Sequence, residues 1–304
     1  MPIPKWLRKD LPTSGTLATA QVLDDQQLHT VCESAKCPNR MECWSKGTAT
    51  FMILGEVCTR ACRFCSIAAG KPTEIELDEP MRVAEAAKKM NLDHVVITSV
   101  ARDDLVDGGS GHFVKTIACV REMLPKATVE VLTPDFGGSW DQINYVCQAR
   151  PDVFNHNIET VRRLTPSVRS RSDYHRSLKV LEEVKKNYSS ILTKSAIMLG
   201  VGETQEEVCQ TIEDLHRVHC DILLIGQYMQ PEAGAMPVQQ YYELKRFDFF
   251  AEYAKKLGFL SVVAKPFVRS SYLASEVFKA TQQRLSSNQA KAGTSTAFLS
   301  EATL

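Results

Sequence analysis

Residues 48–65 read Thr48-Ala-Thr-Phe-Met-Ile-Leu54, then Gly-Glu-Val, then Cys58-Thr-Arg-Ala-Cys62-Arg-Phe-Cys65. The first part is an apolar, β-branched run closed by Gly55, which predicts a buried β-strand. The second part spaces three cysteines as C-x3-C-x2-C. Three thiolates on one short loop can hold three irons of a [4Fe–4S] cluster and leave the fourth iron open to a small chelating molecule. The stretch therefore predicts a strand that carries an iron–sulfur site at its C-terminal end.

A second triplet of cysteines precedes this strand, at Cys32, Cys37 and Cys43 with C-x4-C-x5-C spacing. It could hold a second cluster in the same way. A structural zinc site usually combines two C-x2-C pairs or a C-x2-C pair with two histidines, and only Cys62 and Cys65 have that spacing. Disulfides are disfavoured because the chain begins with no apolar secretory segment and is long enough to bury a core without cross-links. We therefore expect two iron–sulfur clusters.

The composition is that of an ordinary globular chain. Of its 304 residues, 44% are hydrophobic and 24% charged, and the formal net charge is zero. This balance gives no whole-molecule attraction to nucleic acid or to an anionic membrane. No stretch approaches the roughly 18–20 apolar residues of a membrane-spanning helix, so we expect a cytoplasmic protein with no membrane or nucleic-acid partner.

The segments outside the two triplets contain two further features. Residues 1–30 include basic residues such as Arg8 and Lys9 but lack the Arg- and Ser-rich amphipathic pattern of a transit peptide, so we interpret them as an ordered or wrapping arm. The other four cysteines lie in apolar-periodic segments and are expected to be small buried hydrophobes. They are Cys119, Cys147, Cys209 and Cys220.

Strand and helix patterns alternate along the chain. The predicted strands are residues 48–54, 94–98, 128–133, 152–159, 193–199 and 222–225, followed by a last apolar run at 259–263. The predicted helices include 80–90, 112–124 and 241–257 and two that begin at the capping-box patterns of Ser139 and Thr204. Most of the strands are continuous apolar runs, which indicates a parallel sheet covered by helices. The pattern predicts an α/β fold, an incomplete (β/α)6 TIM-type barrel with an N-terminal cluster-binding extension and a C-terminal extension.

This pattern also predicts where the chain divides and where its site lies. We assign residues 1–47 to the N-terminal extension, 48–263 to the partial barrel, 264–285 to a C-terminal segment and 286–304 to a disordered tail. Ligands of such sheets bind at the C-terminal ends of the strands. Polar residues collect there, at Thr98-Ser99, Asp103-Asp104, Asn155-His156-Asn157, Glu159, Lys194 and Gln227-Tyr228.

The C-x3-C-x2-C loop after the first strand of a βα series resembles the radical S-adenosylmethionine (SAM) superfamily. In that superfamily the aromatic residue before the third cysteine, here Phe64, packs near the adenine. More specifically, residues 28–273 are similar to the lipoyl synthase family. The shared motifs include the first triplet, Gly47–Leu54, Arg102-Asp-Asp-Leu105, Leu132-Thr-Pro-Asp-Phe136, Asn155-His-Asn-Ile-Glu-Thr160, Gly226-Gln-Tyr228 and Arg269-Ser-Ser-Tyr272.

The resemblance implies an enzyme, a radical SAM sulfurtransferase that inserts two sulfur atoms at C6 and C8 of a protein-bound N6-octanoyl-lysine. It implies two [4Fe–4S] clusters and SAM as cofactors, the auxiliary cluster being the sulfur donor. Cys58, Cys62 and Cys65 would hold the SAM-cleaving cluster. Cys32, Cys37, Cys43 and Ser271 would hold the auxiliary cluster, although on its own Ser271 reads as a turn or capping residue. The catalytic set is thus Cys58, Cys62, Cys65 and Ser271.

The resemblance also implies partners. They are octanoylated lipoyl-carrier proteins, such as the glycine cleavage H protein and the lipoyl domains of 2-oxoacid dehydrogenase E2, and a one-electron donor such as ferredoxin or flavodoxin. Five arginines after the fourth strand predict a docking surface for an acidic carrier, the alternative being an ordinary solvated surface. They are Arg162, Arg163, Arg169, Arg171 and Arg176.

We expect SAM to contact the polar strand ends. Asn157 and Glu159 are predicted near its ribose, Lys194 near its methionine carboxylate and Ser99 near its amino group, with Phe64 at the adenine. The alternative is that these side chains only satisfy loop backbone.

Two other functions stay open on the sequence. One is a different radical SAM sulfur-insertion enzyme acting on a small molecule, similar to biotin synthase. The other is a non-catalytic iron–sulfur electron carrier, which would not need six βα units. Three departures from the lipoyl synthase pattern, at Ala196, Ala235 and Ala264-Lys265, leave every expected cluster ligand in place.

Overall fold

The computed structural model describes residues 4–7 and 16–300. The strands are β1 His29–Thr30, β2 Thr50–Ile53, β3 Val57–Cys58, β4 Ala68–Ala69, β5 His94–Ser99, β6 Thr128–Leu132, β7 Val153–Asn155, β8 Leu192–Leu199, β9 Ile222–Gln227 and β10 Ser261–Ala264. The helices are α1 Thr16–Asp25, α2 Val31–Ser34, α3 Arg40–Ser45, α4 Glu79–Lys89, α5 Ser110–Met123, α6 Trp140–Gln148, α7 Thr165–Val168, α8 Tyr174–Asn187, α9 Gln205–Arg217, α10 Leu244–Leu257 and α11 Ala274–Ser300. Two 3-10 turns cover Lys5–Leu7 and Phe136–Gly138. Arg8 and Lys9 of the expected basic arm lie outside the described residues.

One large sheet forms the centre of the fold, in the order β1-β2-β5-β6-β7-β8-β9-β10. All neighbours from β2 to β10 are parallel, and β1 pairs antiparallel with β2. The α/β fold class and the incomplete barrel are confirmed. The sheet has two strands more than the six predicted, because β1 joins it at one edge and the last apolar run joins it at the other as β10. Gly258 ends α10 in the left-handed conformation, which lets the chain turn back along β9.

Helices cover the outer face of the sheet because alternate strand residues point outward. Val95 and Ile97 of β5 are fully buried in the layer beneath α4 and α5. On α9, Val208, Ile212 and Leu215 are buried, as their helical spacing predicted. The capping box of Thr204 is formed in full. The capping box expected at Ser139 is wrong, since Ser139 is the N-cap of α6 but its side chain makes no capping hydrogen bond.

The C-terminal helix covers the barrel interior at the N-terminal ends of the strands. Val277 and Phe278 of α11 pack against inward-facing residues of β8 and β9, and the Phe278 ring lies 5.5 Å from that of His94 at the start of β5. This end of the barrel is therefore filled. The tail expected to be disordered from 286 is instead helical backbone as far as Ser300. Extending a docked helix costs less than nucleating one, so its polar composition does not stop it.

The N-terminal extension packs on the outside of the barrel. Thr19 Oγ1 of α1 donates to the Trp44 carbonyl oxygen of α3 at 2.8 Å, and Leu23 is buried. Cys147 and Cys220 are buried and Cys119 and Cys209 half-buried against the helix layers, as expected. Within the described part of the chain, no helix has the length and apolar character needed to cross a membrane.

Candidate active site

A cavity of about 480 Å³ lies at the C-terminal edge of the sheet, where the sequence placed the site. It is lined by all three cysteines of the second triplet, by Cys32 and Cys37 of the first, and by Ser271. Cys43 does not line it and packs half-buried in α3 against the core. Residues more than 200 positions apart in the chain therefore meet around one space.

The second triplet is surrounded by backbone N–H groups. Cys58 Sγ accepts from Arg60 N at 3.4 Å and from Ala101 N at 3.3 Å, and Cys65 Sγ accepts from Ile67 N at 3.4 Å. Burial raises the pKa of Cys65 to about 12 and also raises the pKa of Cys62, against the effect of a backbone hydrogen bond from Ser170. Metal binding deprotonates such thiols, and N–H donors then stabilise the thiolate charge.

The cysteine loop is fixed by a buried ion network. Arg60 stands between the first two cysteines of the triplet and donates to Asp103 through Nε at 2.8 Å and Nη2 at 2.7 Å. The same Nη2 donates to Asp135 at 2.7 Å, and Thr59 Oγ1 donates to Asp103 at 3.0 Å. Asp103 and Asp135 follow β5 and β6, so both strand ends hold the loop in place.

The first triplet lies against the C-terminal segment. Burial raises the pKa of Cys32 to about 11, with the neighbouring Cys37 thiol acting in the same direction. The Thr50 backbone and side chain approach the Cys32 sulfur, and Thr50 Oγ1 donates to Ser271 Oγ at 2.7 Å. Ser271 is thus next to the triplet that the family resemblance assigned it to.

Three further contacts hold the C-terminal segment against the pocket. Asn39 Nδ2 of the first-triplet loop donates to the Phe267 carbonyl oxygen at 2.7 Å. Gly226 of β9 lies so close that a Cβ built on it would overlap the Val268 carbonyl oxygen. The Tyr272 hydroxyl donates to Glu42 Oε1 at 3.0 Å, one residue before Cys43.

Four of the five predicted SAM contacts line the cavity: Phe64, Ser99, Asn157 and Glu159. Ser99 Oγ and Asn157 Oδ1 are buried and have no hydrogen-bond partner among the described residues. The sequence predicted that Glu159 would end the strand that is now β7, but β7 stops at Asn155. Glu159 instead forms a single parallel bridge to Ile197, and its own φ is 64°. Burial raises the pKa of its carboxyl, opposed by Arg169.

The fifth, Lys194, does not line the cavity. Its ammonium is buried and donates to Glu130 Oε1 at 2.8 Å and Oε2 at 3.0 Å. Lys194 lies five residues before the end of β8, roughly 16 Å below the edge at 3.3 Å per residue. The structure therefore does not bring Lys194 to the polar ring in which the sequence placed it.

Two polar residues that the sequence did not place among the polar strand ends, Thr133 and Arg169, also line the cavity, as does His156, which it did place there. Arg169 is buried and donates to the Ile158 carbonyl oxygen at 3.1 Å and to Ser177 Oγ at 2.9 Å. Burial lowers the pKa of His156 to about 4, which keeps its ring neutral. Thr133 and His156 belong to the shared motifs 132–136 and 155–160, which pointed to this site in the sequence. Arg169 belongs to no such motif and resembled an ordinary surface arginine.

The five arginines do not form one docking patch. Arg169 is buried, Arg163 pairs with Glu207 at 2.6 Å, and Arg176 pairs with the buried Asp135 at 2.9 Å. Arg163 is nevertheless exposed, as are Arg162 and Arg171. A docking role is thus a proposal for these three alone.

Within residues 4–7 and 16–300, no three His, Cys, Asp or Glu side chains are grouped closely enough to hold a single metal ion. What the cavity offers is a larger space between two sets of thiols, with apolar walls that include Met198 and Leu224. Buried polar atoms without partners face the same space. This arrangement suits a bulky sulfur-ligated group together with a polar small molecule.

Known proteins resemble the chain in both sequence and fold. The model of the radical SAM superfamily matches residues 52–215. The lipoyl synthase of Caldicellulosiruptor saccharolyticus is 50% identical over 277 residues, which cover 91% of this chain and 97% of that protein. The lipoyl synthase of Bacillus subtilis is 50% identical over 284 residues, which cover 92% and 95%.

Solved structures resemble it more distantly. SuiB of Streptococcus suis, solved with SAM bound, has a TM-score of 0.56 at 11% identity, over 70% of this chain and 49% of that one. Methylornithine synthase has a TM-score of 0.53 at 14% identity, over 69% and 63%. The chain thus spans about half of SuiB, and at these identities the likeness concerns the fold alone.

Proposed function

Since the chain belongs to the lipoyl synthase family of the radical SAM superfamily, we propose that its strand-edge cavity holds two [4Fe–4S] clusters and SAM around the acyl chain of its substrate. The enzyme inserts two sulfur atoms, at C6 and C8, into a protein-bound N6-octanoyl-lysine and so forms the lipoyl group. When bound, the cluster of the second triplet supplies the electron that cleaves SAM, and the auxiliary cluster supplies the sulfur.

One observation carries the assignment of residues: two sets of thiols and Ser271 face a single cavity. The residues fit the clusters, since Cys58 and Cys65 already receive N–H donors of the kind that stabilise cluster thiolates. In the proposal Cys58, Cys62 and Cys65 hold one cluster. Cys32, Cys37, Cys43 and Ser271 hold the other. The Thr50 hydrogen bond and the neighbouring Cys32 support Ser271 as the non-cysteine ligand.

SAM is proposed to occupy the polar side of the cavity. Ser99 Oγ and Asn157 Oδ1 are buried acceptors without a partner among the described residues, so the ammonium and hydroxyl groups of a ligand would satisfy them. Glu159 and the Phe64 ring complete this side. We now assign the cation for the methionine carboxylate to Arg169 and not to Lys194, because Arg169 lines the cavity and Lys194 does not.

The chain's own residues would orient the reactants and keep water out. The Arg60 network fixes the cysteine loop relative to the strand ends, so the thiolates need no rearrangement on SAM binding. Met198, Leu224 and the methylene stems around them give the octanoyl chain an apolar surface. They also keep other hydrogen donors away from a reactive radical.

The enzyme's substrates are lipoyl-carrier proteins. Within that class we propose the octanoylated glycine cleavage H protein and E2 lipoyl domains, with ferredoxin or flavodoxin as electron donor, and without nucleic acid. A cytoplasmic location fits this chemistry, which needs reduced thiols. The division at 47 and 263 also stays a proposal, whereas α11 continues across the expected boundary at 285.

Alanine variants of each triplet test the residue assignment. The variant of the second triplet should keep about four irons per chain and lose SAM cleavage. The variant of the first triplet should also keep about four irons but cleave SAM and form no lipoyl group. Iron analysis, 5′-deoxyadenosine release and the mass of an octanoyl carrier domain measure the three outcomes. A first-triplet variant that cannot cleave SAM would contradict the assignment.

A further inference from the structure

The two neighbouring serines of the C-terminal segment bind to different partners. Ser271 Oγ accepts from Thr50 Oγ1 at 2.7 Å, on β2 beside the first triplet. Ser270 Oγ accepts from Asn157 Nδ2 at 2.6 Å, just after β7. Because β5 and β6 separate β2 from β7 in the sheet, the two hydroxyls face different parts of the cavity.

We propose that Ser270 is a positioning residue that orients the Asn157 amide for SAM, whereas its neighbour Ser271 keeps the auxiliary-cluster role already proposed. The inference rests on the proposed function, because it takes Asn157 to be a SAM contact.

The orientation of the Asn157 amide is fixed because both of its donors are in use. An asparagine side chain has two N–H donors and one carbonyl acceptor. One N–H goes to Glu159 Oε1 at 2.9 Å and the other to Ser270 Oγ at 2.6 Å. Exchanging the amide oxygen and nitrogen would place Oδ1 against the Glu159 carboxylate, an acceptor facing an acceptor. The network therefore allows one orientation of the amide.

This orientation leaves Asn157 Oδ1 available to a ligand. The atom is buried, Asn157 lines the cavity, and no hydrogen-bond donor reaches Oδ1 from any described residue. A buried acceptor without a partner costs free energy, which a ligand hydroxyl recovers on binding. The ribose of SAM carries two such hydroxyls. Without the Ser270 hydroxyl, Glu159 alone anchors the amide, so SAM affinity should fall but not vanish.

The fold of the segment does not depend on the Ser270 hydroxyl. Backbone hydrogen bonds from Val268 N to Lys265 O and from Tyr272 N to Arg269 O, each of 3.0 Å, form two successive turns. The Asn39 side chain holds the Phe267 carbonyl oxygen independently. A serine-to-alanine change at 270 should therefore alter the amide and leave the segment in place.

The experiment measures the dissociation constant of SAM for the anaerobically reconstituted full-length enzyme, by equilibrium dialysis with radiolabelled SAM. Ser270→Ala should raise this constant roughly three- to tenfold, the effect of losing one ordinary hydrogen bond. Ser270→Thr keeps a hydroxyl and should restore most of the affinity. Ser275→Ala is the matched control, since its hydroxyl binds Asp93 instead, at 3.2 Å.

Ser271→Ala supplies the contrast. It should change the Mössbauer spectrum of the auxiliary cluster and leave SAM affinity within about twofold of the unmodified enzyme. Unchanged SAM affinity in Ser270→Ala, or equal weakening in Ser271→Ala, would overturn the division between the serines while the proposed function stands. If the unmodified enzyme binds no SAM, the proposed function itself fails.

Discussion

Replacing Lys194 by Met distinguishes the location that the sequence suggested for this residue from the one that the structure gives it. The sequence placed Lys194 at the SAM carboxylate, whereas the structure pairs it with Glu130 inside the barrel. Lys194→Met keeps most of the length of the side chain and removes the charge. We expect a large loss of stability and an unchanged SAM dissociation constant.

The size of the stability loss depends on which partners the Glu130 carboxylate keeps when Lys194 is replaced. Removing one partner of a buried ion pair costs about 3–5 kcal/mol, because an uncompensated charge stays behind. Here Asn155 Nδ2 still donates to Glu130 Oε1 at 3.0 Å, and His94 Nε2 lies 3.5 Å from Oε2. We therefore expect the lower end, about 3 kcal/mol. At about 2–4 °C per kcal/mol for a large domain, the thermal midpoint should fall by about 6–12 °C.

The assay is thermal unfolding of the metal-free protein followed by circular dichroism, on Lys194→Met, Glu130→Gln and the double variant. The double variant should lose less than the sum of the single losses, because neither charge is then left alone. The pair should also have a pH signature. Burial by itself raises the pKa of Glu130, but Lys194 and His94 outweigh it and lower the pKa to about 2.

An ionised Glu130 therefore stabilises the fold fully above about pH 4.5, and this contribution is lost as the pH falls toward 2. The difference in midpoint between the unmodified protein and Glu130→Gln should shrink over that window. A Lys194→Met protein with a normal midpoint and a tenfold weaker affinity for SAM would refute the reasoning. Lys194 would then contact SAM after all.

Three other predictions concern the pocket and its rim. We expect the Ser271 oxygen to leave the auxiliary cluster readily when sulfur is removed, since a thiolate holds iron more firmly than a serine oxygen does. Ser271→Cys should therefore keep the iron content and SAM cleavage but stall lipoyl formation, and normal product by mass spectrometry would contradict this role of Ser271. Arg171→Glu should slow turnover on an octanoyl carrier domain more than on an octanoyl-lysyl peptide. The control Arg217→Glu, equally exposed on α9, should slow neither, and equal slowing of Arg171→Glu on both substrates would contradict a role of Arg171 in docking the carrier. Gly226→Ala should displace the C-terminal segment, which hydrogen exchange would detect as faster exchange at 266–272, whereas Gly234→Ala, with open space around it, should not.

Local sequence patterns predicted the regular elements well, because a helix or strand end is set by residues a few positions apart. The Thr204 capping box is an example, since its two hydrogen bonds join residues three positions apart. The same pattern at Ser139 failed, because the hydroxyl there makes no bond to the backbone of α6. The run that became β10 was visible as an apolar segment. Its membership of the sheet depended on pairing with β9, which spacing along the chain does not encode.

Whether a charged residue is buried or exposed was harder to predict. Arg169 and Arg171 are two positions apart and looked alike in the sequence. In the structure Arg169 is buried against Ser177 and the Ile158 carbonyl oxygen, whereas Arg171 is exposed. Arginine can be buried wherever acceptors surround it, and those acceptors come from other parts of the chain. Of the five arginines expected to form a docking surface, three are therefore exposed: Arg162, Arg163 and Arg171.

The sequence by itself determined the chemistry: the cysteine spacings, the βα series and the family motifs need only neighbours along the chain. Tertiary structure alone decided which polar groups meet. Lys194 and Glu130 are 64 positions apart, Asn157 and Ser270 are 113 apart, and Thr50 and Ser271 are 221 apart. Such pairs depend on the register and order of the strands, which arise from burying the whole sheet at once. For that reason the motif Arg269-Ser-Ser-Tyr272 singled out Ser271 by resemblance and gave Ser270 no role, and only the fold gave Ser270 its partner, Asn157.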